Sequence, residues 1–167
     1  MRVAIVGNSG SGKSTLAARL STAADTPVLD LDTVAWVPGK IAVPRDPRDA
    51  ATDVGTFCNS NEDWIVEGCY ASLITAALSF RPQLIVLDPG VNQCTANCRS
   101  RPWEPHKYAS KEEQDEHLAF LLGWATDYYS RDDDMSLLAH KRVYQDYDGP
   151  KQWLTTLPDG IQLVDQV

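Results

Sequence analysis

Residues Gly7 to Ser14 read Gly-Asn-Ser-Gly-Ser-Gly-Lys-Ser, which satisfies the pattern G-x-x-x-x-G-K-S/T in full. That spacing describes a phosphate cradle when a strand precedes it and a helix follows. Glycines let successive backbone N–H groups turn inward toward an anion, and the positive end of the following helix adds to the attraction. In such a loop Lys13 reaches the β- and γ-phosphates of a nucleoside triphosphate, and the Ser14 hydroxyl holds Mg²⁺. Gly7, Asn8, Ser9, Gly10, Ser11, Gly12, Lys13, Ser14 and Thr15 are therefore the expected ATP-binding residues, with ATP and Mg²⁺ as the cofactors.

Carboxylates recur at matching places further on. Apolar runs end at Asp30 and Asp32, at Glu67, and at Asp88. In an open α/β sheet the site lies outside the carboxyl ends of the strands, so these acids are expected around the phosphate loop. Phosphoryl transfer needs positioning, a metal ion and neutralisation of developing negative charge. One carboxylate should accept the proton of an attacking hydroxyl, and Asp32 is assigned there. Hard divalent cations take oxygen ligands, so Asp30 or Glu67 is assigned to the metal beside Ser14, with Asp88 left open. Arg99, Arg101 and Lys107 supply positive charge, with Arg99 and Arg101 placed at the transferring phosphoryl group. Trp36, Tyr70, Trp103 and Tyr108 interleave with these charges and could stack a nucleobase; Trp36, Glu67, Tyr70, Trp103 and Lys107 complete the expected acceptor site.

The elements that must position these groups follow from hydrophobic periodicity and breakers. Strands are expected at 3–6, 27–32, 63–68, 82–88 and 161–164. Helices are expected after the phosphate loop and at about 46–60, 70–80, 91–101, 111–129, from the acidic turn at 132–134 to 147, and at 151–157. Leu118, Leu121, Leu122, Ala125 and Tyr129 are the expected apolar face of the long helix. Strands separated by helices mean a parallel sheet covered on both faces. The prolines at 102 and 105 break the chain before that long helix, and a lid is expected at about 100–130. A chain of 167 residues fits one domain over 1–167.

Bulk properties narrow the function. The net charge of −8 repels nucleic acid as a general partner and weighs against it as the substrate. No apolar run approaches the ~20 residues that span a bilayer, and Gly7 interrupts the first one, so no membrane association and a cytoplasmic location are expected. The four cysteines, at 58, 69, 94 and 98, are too few and irregular for a disulfide framework; they are read as buried thiols. Cys94 and Cys98 share a helix face, but a zinc site would need two further ligands. The sequence leaves the oligomeric state open.

The stretches GNSGSGKSTLA, LDLDTVAWVPG, WIVEGCY and LIVLDPGVNQCTANCRSR together resemble the adenylate-kinase-like P-loop kinases. This group includes nucleoside monophosphate, shikimate and gluconate kinases, and the chain is most similar to a branch often labelled adenylate kinase-like or DNA topology modulation proteins. The resemblance runs from Met1 to about Arg101. It implies a three-layer α/β P-loop NTPase fold, with a five-stranded parallel sheet, helices on both faces and a helical lid. It places Asp32 against the acceptor, Glu67 near metal and acceptor, and Arg99 and Arg101 on the lid. The implied activity is transfer of the ATP γ-phosphate to a hydroxyl. A nucleobase- or nucleotide-type acceptor is favoured, its most specific form being 5-hydroxymethyluracil in phage DNA, as some phage relatives of this fold phosphorylate. The alternatives are a shikimate- or gluconate-type small molecule, a nucleoside monophosphate, or no acceptor at all in a regulatory ATP-binding module. The chain departs from adenylate kinases in lacking a G-x-x-x-R-R-type monophosphate clamp.

Overall fold

The computed structural model describes residues 1–38, 43–103 and 108–158. The order of elements is β1 (Arg2–Gly7), α1 (Lys13–Ala24), β2 (Val28–Asp30), α2 (Asp32–Ala35), α3 (Pro47–Ser60), β3 (Trp64–Gly68), α4 (Ala71–Leu78), β4 (Gln83–Leu87), α5 (Val91–Arg99), α6 (Lys111–Asp127), α7 (Leu137–Asp146) and β5 (Lys151–Leu154). The strands form one sheet in the order β2-β3-β1-β4-β5, and every pairing is parallel.

The apolar runs become the three inner strands because both faces of the sheet are covered. Alternation then sorts their side chains. Ala4, Val6, Trp64, Val66, Leu84 and Val86 pack with Val54, Cys58 and Ile74 of α3 and α4. Val3, Ile5, Ile65, Ile85 and Leu87 pack on the other face with Leu16 and Ala17 of α1. At ~25 cal/mol per Å² of buried apolar surface, this double burial dominates stability and holds the carboxyl ends of β1, β3 and β4 rigidly side by side. No helix among the described residues is long and apolar enough to cross a membrane.

Four expectations change. Residues 151–157, expected as a helix, instead supply β5: Lys151–Leu154 pairs with β4, matching Leu84 to Lys151 and Leu87 to Leu154. The pairing is decided outside the segment, where the N–H groups of Leu84 and Asp88 donate to the carbonyls of Pro150 and Leu154. Trp153 turns to one core and Leu154 to the other, a strand's period of two. The strand expected at 161–164 lies outside the described residues. Second, Asp32 does not end a strand: β2 stops at Asp30, and Asp32 opens the one-turn helix α2. Third, the inward tyrosine below α6 is Tyr128, fully buried, while Tyr129 is exposed. The helix stops at Asp127, so the heptad count carried past its end points to the wrong residue.

The fourth concerns the acidic turn, which serves two helices. Ser136, not an aspartate, caps α7 by accepting from the Ala139 N–H. Asp134 reaches back across the sequence and accepts from the Ser72 N–H and hydroxyl, each at 2.8 Å, which satisfies an orphan donor at the start of α4.

Candidate functional site

The loop from β1 to α1 wraps an anion-sized hollow. Gly10 and Gly12 take φ of 74° and 98°, a left-handed conformation costly for any residue with a Cβ. At Gly10 a Cβ would also stand 2.2 Å from the Cys94 carbonyl oxygen, so the cradle rests directly on α5. Asn97 of α5 donates to the Gly10 carbonyl at 2.8 Å, which fixes the loop's crown. Lys13 is nearly buried and its Nζ donates to the Asn8 carbonyl at 2.9 Å. The Ser11 hydroxyl is buried with no hydrogen-bond partner among the described residues. An unpartnered buried hydroxyl beside inward backbone donors and an ammonium fits a bound phosphate group.

A cleft of about 1110 Å³ opens from this cradle. That exceeds the roughly 300–1,000 Å³ of single-ligand sites and leaves room for two substrates. Residues Ser9 to Thr15 line it, as do Asp30, Asp32, Trp36, Glu67 and Tyr70. Glu67 is buried, and the Ser14 hydroxyl donates to its Oε1 at 2.7 Å. Burial pushes the Glu67 carboxyl above its ordinary range; Lys13 and the Ser14 bond pull it back, and Asp30 and Asp32 raise it further. An oxygen set of Ser14, Glu67 and Asp30 fits a hard divalent cation. Three His, Cys, Asp or Glu side chains do not converge on one point among the described residues.

Facing the cradle, a hydrogen-bonded chain orients Asp32. The Trp36 indole N–H donates to the Tyr70 hydroxyl at 2.7 Å, and that hydroxyl donates to Asp32 Oδ1 at 2.8 Å. The rings meet edge to face at 6.3 Å. The Asp32 N–H donates to Asp30 Oδ1 at 2.9 Å, so the two acids are held apart by one backbone turn. Burial, then the charge of Asp32, pushes the Tyr70 phenol up; it stays protonated and remains a donor. Replacing Tyr70 by Phe deletes one charge-assisted hydrogen bond, worth ~1.5–3 kcal/mol. If Asp32 acts in phosphate transfer, turnover of Tyr70→Phe is expected to fall about tenfold or more, with ATP affinity unchanged; steady-state kinetics over both substrates checks this.

Other expected residues separate. Arg101 lines the cleft, whereas Arg99 is exposed and borders a small separate hollow with His117 and Leu118. Arg99 is the last residue of α5, and Arg101 lies beyond its C-cap Ser100 in the irregular segment that follows. Asp88 lies outside the cleft lining and accepts from the Tyr129 hydroxyl at 2.7 Å. Trp103 is exposed, donates to the Tyr108 carbonyl at 3.2 Å and does not line the cleft, although Tyr108 does. Lys107 and the rest of 104–107 lie outside the described residues.

The periodicity of α6 concealed the cleft's remaining wall. Phe120, Leu121 and Trp124 of α6 line it together with Met135; the signal was the aromatic pair at i, i+4 on a helix otherwise read for its leucines. The last turn of α6 is tied to the cradle where Asn8 Nδ2 donates to the Ala125 carbonyl at 2.7 Å. The cysteines are free thiols. Cys94 and Cys98 are buried, and burial pushes the Cys94 thiol up to about 11, so they behave as small packing groups behind the loop.

His140 of α7 escaped the sequence reading altogether. It is fully buried; its Nε2 meets the Cys69 carbonyl at 2.9 Å and its Nδ1 the Tyr128 hydroxyl at 2.8 Å. Burial lowers it to about 4, so the ring is neutral, donates from Nε2 and accepts at Nδ1. It thereby holds the turn between Glu67 and Tyr70. Below the ordinary histidine value of 6.5 the unfolded chain takes up a proton that the folded ring refuses. The His140 contribution is therefore complete above about pH 6.5 and is lost as pH falls toward 4, by up to about 3 kcal/mol. Urea unfolding at pH 7 and pH 4.5 should show this loss, and His140→Gln should flatten it; an equal slope in the variant overturns the assignment.

No protein-family model matches the chain, and no curated protein is similar to it in sequence. Solved structures do resemble it. An unliganded sugar kinase from Janibacter sp. HTCC2649 superposes with a TM-score of 0.52 at 12% identity, covering 91% of this chain and 83% of that one. A gluconokinase from Sinorhizobium meliloti 1021 gives 0.45 at 16% identity, covering 87% and 97%. A deoxyadenosine kinase from M. mycoides with bound dATP gives 0.45 at 14% identity, covering 92% and 90%. Only the first is close enough to bear on architecture, and what it bears on is the fold alone. Taken with the all-parallel sheet and the glycine loop between β1 and α1, it establishes that this chain has the three-layer α/β fold of the P-loop NTPases.

Proposed function

We propose that the protein is a kinase that moves the γ-phosphate of ATP to a hydroxyl of an acceptor substrate. The observation that carries this reading is Asp32, held by Tyr70 across the same cleft that the phosphate cradle opens into. A slow switch or a motor needs the cradle; it does not need an oriented carboxylate on the opposite wall. In this reading the backbone of residues 9–14 and Lys13 hold the triphosphate, and Asp32 accepts the acceptor's hydroxyl proton as the oxygen attacks phosphorus. Arg101 offsets charge on the transferring group. Ser14, Glu67 and Asp30 would hold Mg²⁺, which would supply neutralisation of the charge that develops during transfer. Residues 100–130 form the lid in this scheme, with Asn8 and Ala125 as its fixed end.

Among acceptors we favour a nucleobase- or nucleotide-type hydroxyl, with 5-hydroxymethyluracil in DNA as the most specific form and a shikimate- or gluconate-type acid as the rival. The aromatic lining supports the ring. The test is transfer of label from γ-labelled ATP across nucleosides, nucleoside monophosphates, polyols and hydroxymethylated DNA. Label on one acceptor class supports the kinase; label appearing only as free phosphate supports a regulatory ATP-binding module instead.

A further inference from the structure

The acceptor half of the cleft has a wall that the sequence reading did not contain. Phe120 and Trp124 stand one turn apart on α6, their rings stacked at 6.1 Å with an interplanar angle of 23°. Near-parallel rings at that spacing are offset-stacked and make an aromatic shelf whose outer, more exposed member is Phe120. Phe120 is 72% exposed, far more than an aromatic side chain gains by packing, yet it lines the cleft with Trp124. An apolar ring held in the open at the mouth of a binding cleft marks an interaction surface.

The shelf is braced from behind. The Arg131 guanidinium lies 3.6 Å from the centre of the Trp124 ring, while its nitrogens donate to the Trp124 carbonyl at 3.1 Å and the Met135 carbonyl at 2.8 Å. Arg131 does not line the cleft, so it covers the ring face turned away from it. Met135 continues the wall and packs against the cluster that contains Tyr70 and Trp36. The Ala71 N–H donates to the Asp134 carbonyl at 3.0 Å, so the Met135 end of this wall adjoins the turn that carries Tyr70.

Charge selects among possible occupants. On this side the ionisable groups are Asp30, Asp32 and Glu67, and the basic side chains that line the cleft among the described residues are Lys13 and Arg101. Lys13 belongs to the cradle, and Arg101 precedes the lid helix. In the kinase reading Asp30 and Glu67 belong to the metal, Lys13 to the triphosphate and Arg101 to the transferring group. An anionic acceptor would therefore meet Asp32 with no further basic side chain lining the cleft among the described residues. A cationic acceptor would need an open aromatic face, yet the guanidinium already on Trp124 opposes a second positive charge on that ring. A flat, uncharged ring suffers neither cost.

We infer that the Phe120–Trp124 shelf binds the acceptor, and that the acceptor is a neutral heteroaromatic compound, of the nucleoside class, whose hydroxyl is presented to Asp32. This rests on the kinase reading and alters its favoured acceptor: it keeps a nucleobase-type hydroxyl but excludes phosphate-bearing acceptors, nucleotides and DNA among them, and carboxylate-bearing ones. Stacking on the shelf sets the ring plane, and the Tyr70-oriented carboxylate takes the hydroxyl proton as the O–P bond forms and the β,γ-bridging O–P bond breaks, leaving ADP.

The experiment compares γ-phosphate transfer by the full chain to four acceptors: 5-hydroxymethyl-2′-deoxyuridine, its 5′-monophosphate, gluconate and a hydroxyl-bearing quaternary amine. Transfer to the uncharged nucleoside above the other three is expected. Phe120→Ala and Trp124→Ala should each raise the KM for that nucleoside by about tenfold, the effect of losing one base–aromatic stack, while the Kd for ATP changes little. Trp124→Phe, which keeps an aromatic ring and the backbone bonds, should recover most of the loss and guards against a folding defect. Preferred transfer to gluconate, the monophosphate or the amine overturns the acceptor class and leaves the kinase standing, as does an unchanged KM in both alanine variants. No transfer to any acceptor, with ATP still bound, overturns the kinase reading and the shelf assignment with it.

Discussion

Replacing Asp32 by Asn is expected to lower phosphate transfer by about 10²–10⁴-fold, the range over which a positioned general base acts, while ATP affinity stays near that of the parent. The geometry explains why the loss is confined to one step. Asp32 takes a hydrogen bond from Tyr70 and sits on the wall opposite the cradle. Asparagine preserves the shape and can still accept from the phenol, but it cannot take a proton. Single-turnover transfer measured beside ATP titration separates the two effects. Normal transfer in Asp32→Asn would falsify the acceptor-side assignment and shift attention to Glu67, whose carboxyl is already raised by burial.

Replacing Lys13 by Ala is the more drastic change. Its ammonium is nearly buried and rests on the Asn8 carbonyl, poised beside the hollow rather than out in solvent. A preorganised charge in a site that excludes water acts strongly on developing negative charge, and transfer is expected to fall by about 10³-fold or more. Binding should fail as well. Ligand at 100 times its Kd stabilises a folded protein by about 2.7 kcal/mol, so the thermal shift produced by excess ATP and Mg²⁺ in the parent should vanish in Lys13→Ala. An unchanged shift in the variant removes the phosphate site itself.

How much of this could be read from residue order depends on the distance over which each feature is specified. The cradle is local. Gly10 and Gly12 must adopt left-handed angles within five residues of each other, and Lys13 and Ser14 follow at once, so the spacing alone carries the chemistry. The buried strands are local too, because a parallel strand covered on both faces needs a near-continuous apolar run, and 3–6 and 84–87 are such runs. Segment 151–154 is not. Four residues fit a helix turn or a strand equally well, and only the free edge of β4 made them β5. Tyr128 and Tyr129 differ by one position, and the end of α6 decided which of them went inside.

The acceptor wall shows the same division. Asp32, Trp36, Glu67 and Tyr70 do line one cleft with the cradle, and residue order could group them because parallel sheets collect such residues at the carboxyl ends of their strands. Their mutual bonds were not legible, since Tyr70 and Asp32 lie 38 residues apart. Arg99 and Trp103 were drawn in by proximity along the chain to Arg101, but the helix ends at Arg99 and the path after it leaves Arg101 lining the cleft without them. Phe120, Trp124 and His140 were missed because their roles exist only across elements: a helix face read for its own periodicity does not say which cleft its flank will border. The residue order by itself determined the phosphate loop and the parallel sheet behind it, because both are written in short-range spacing and burial. Which acid Tyr70 holds, which rings line the cleft and which histidine locks the turn that carries Tyr70 were decided by packing, where α6 and α7 come to rest against the carboxyl ends of β1, β3 and β4.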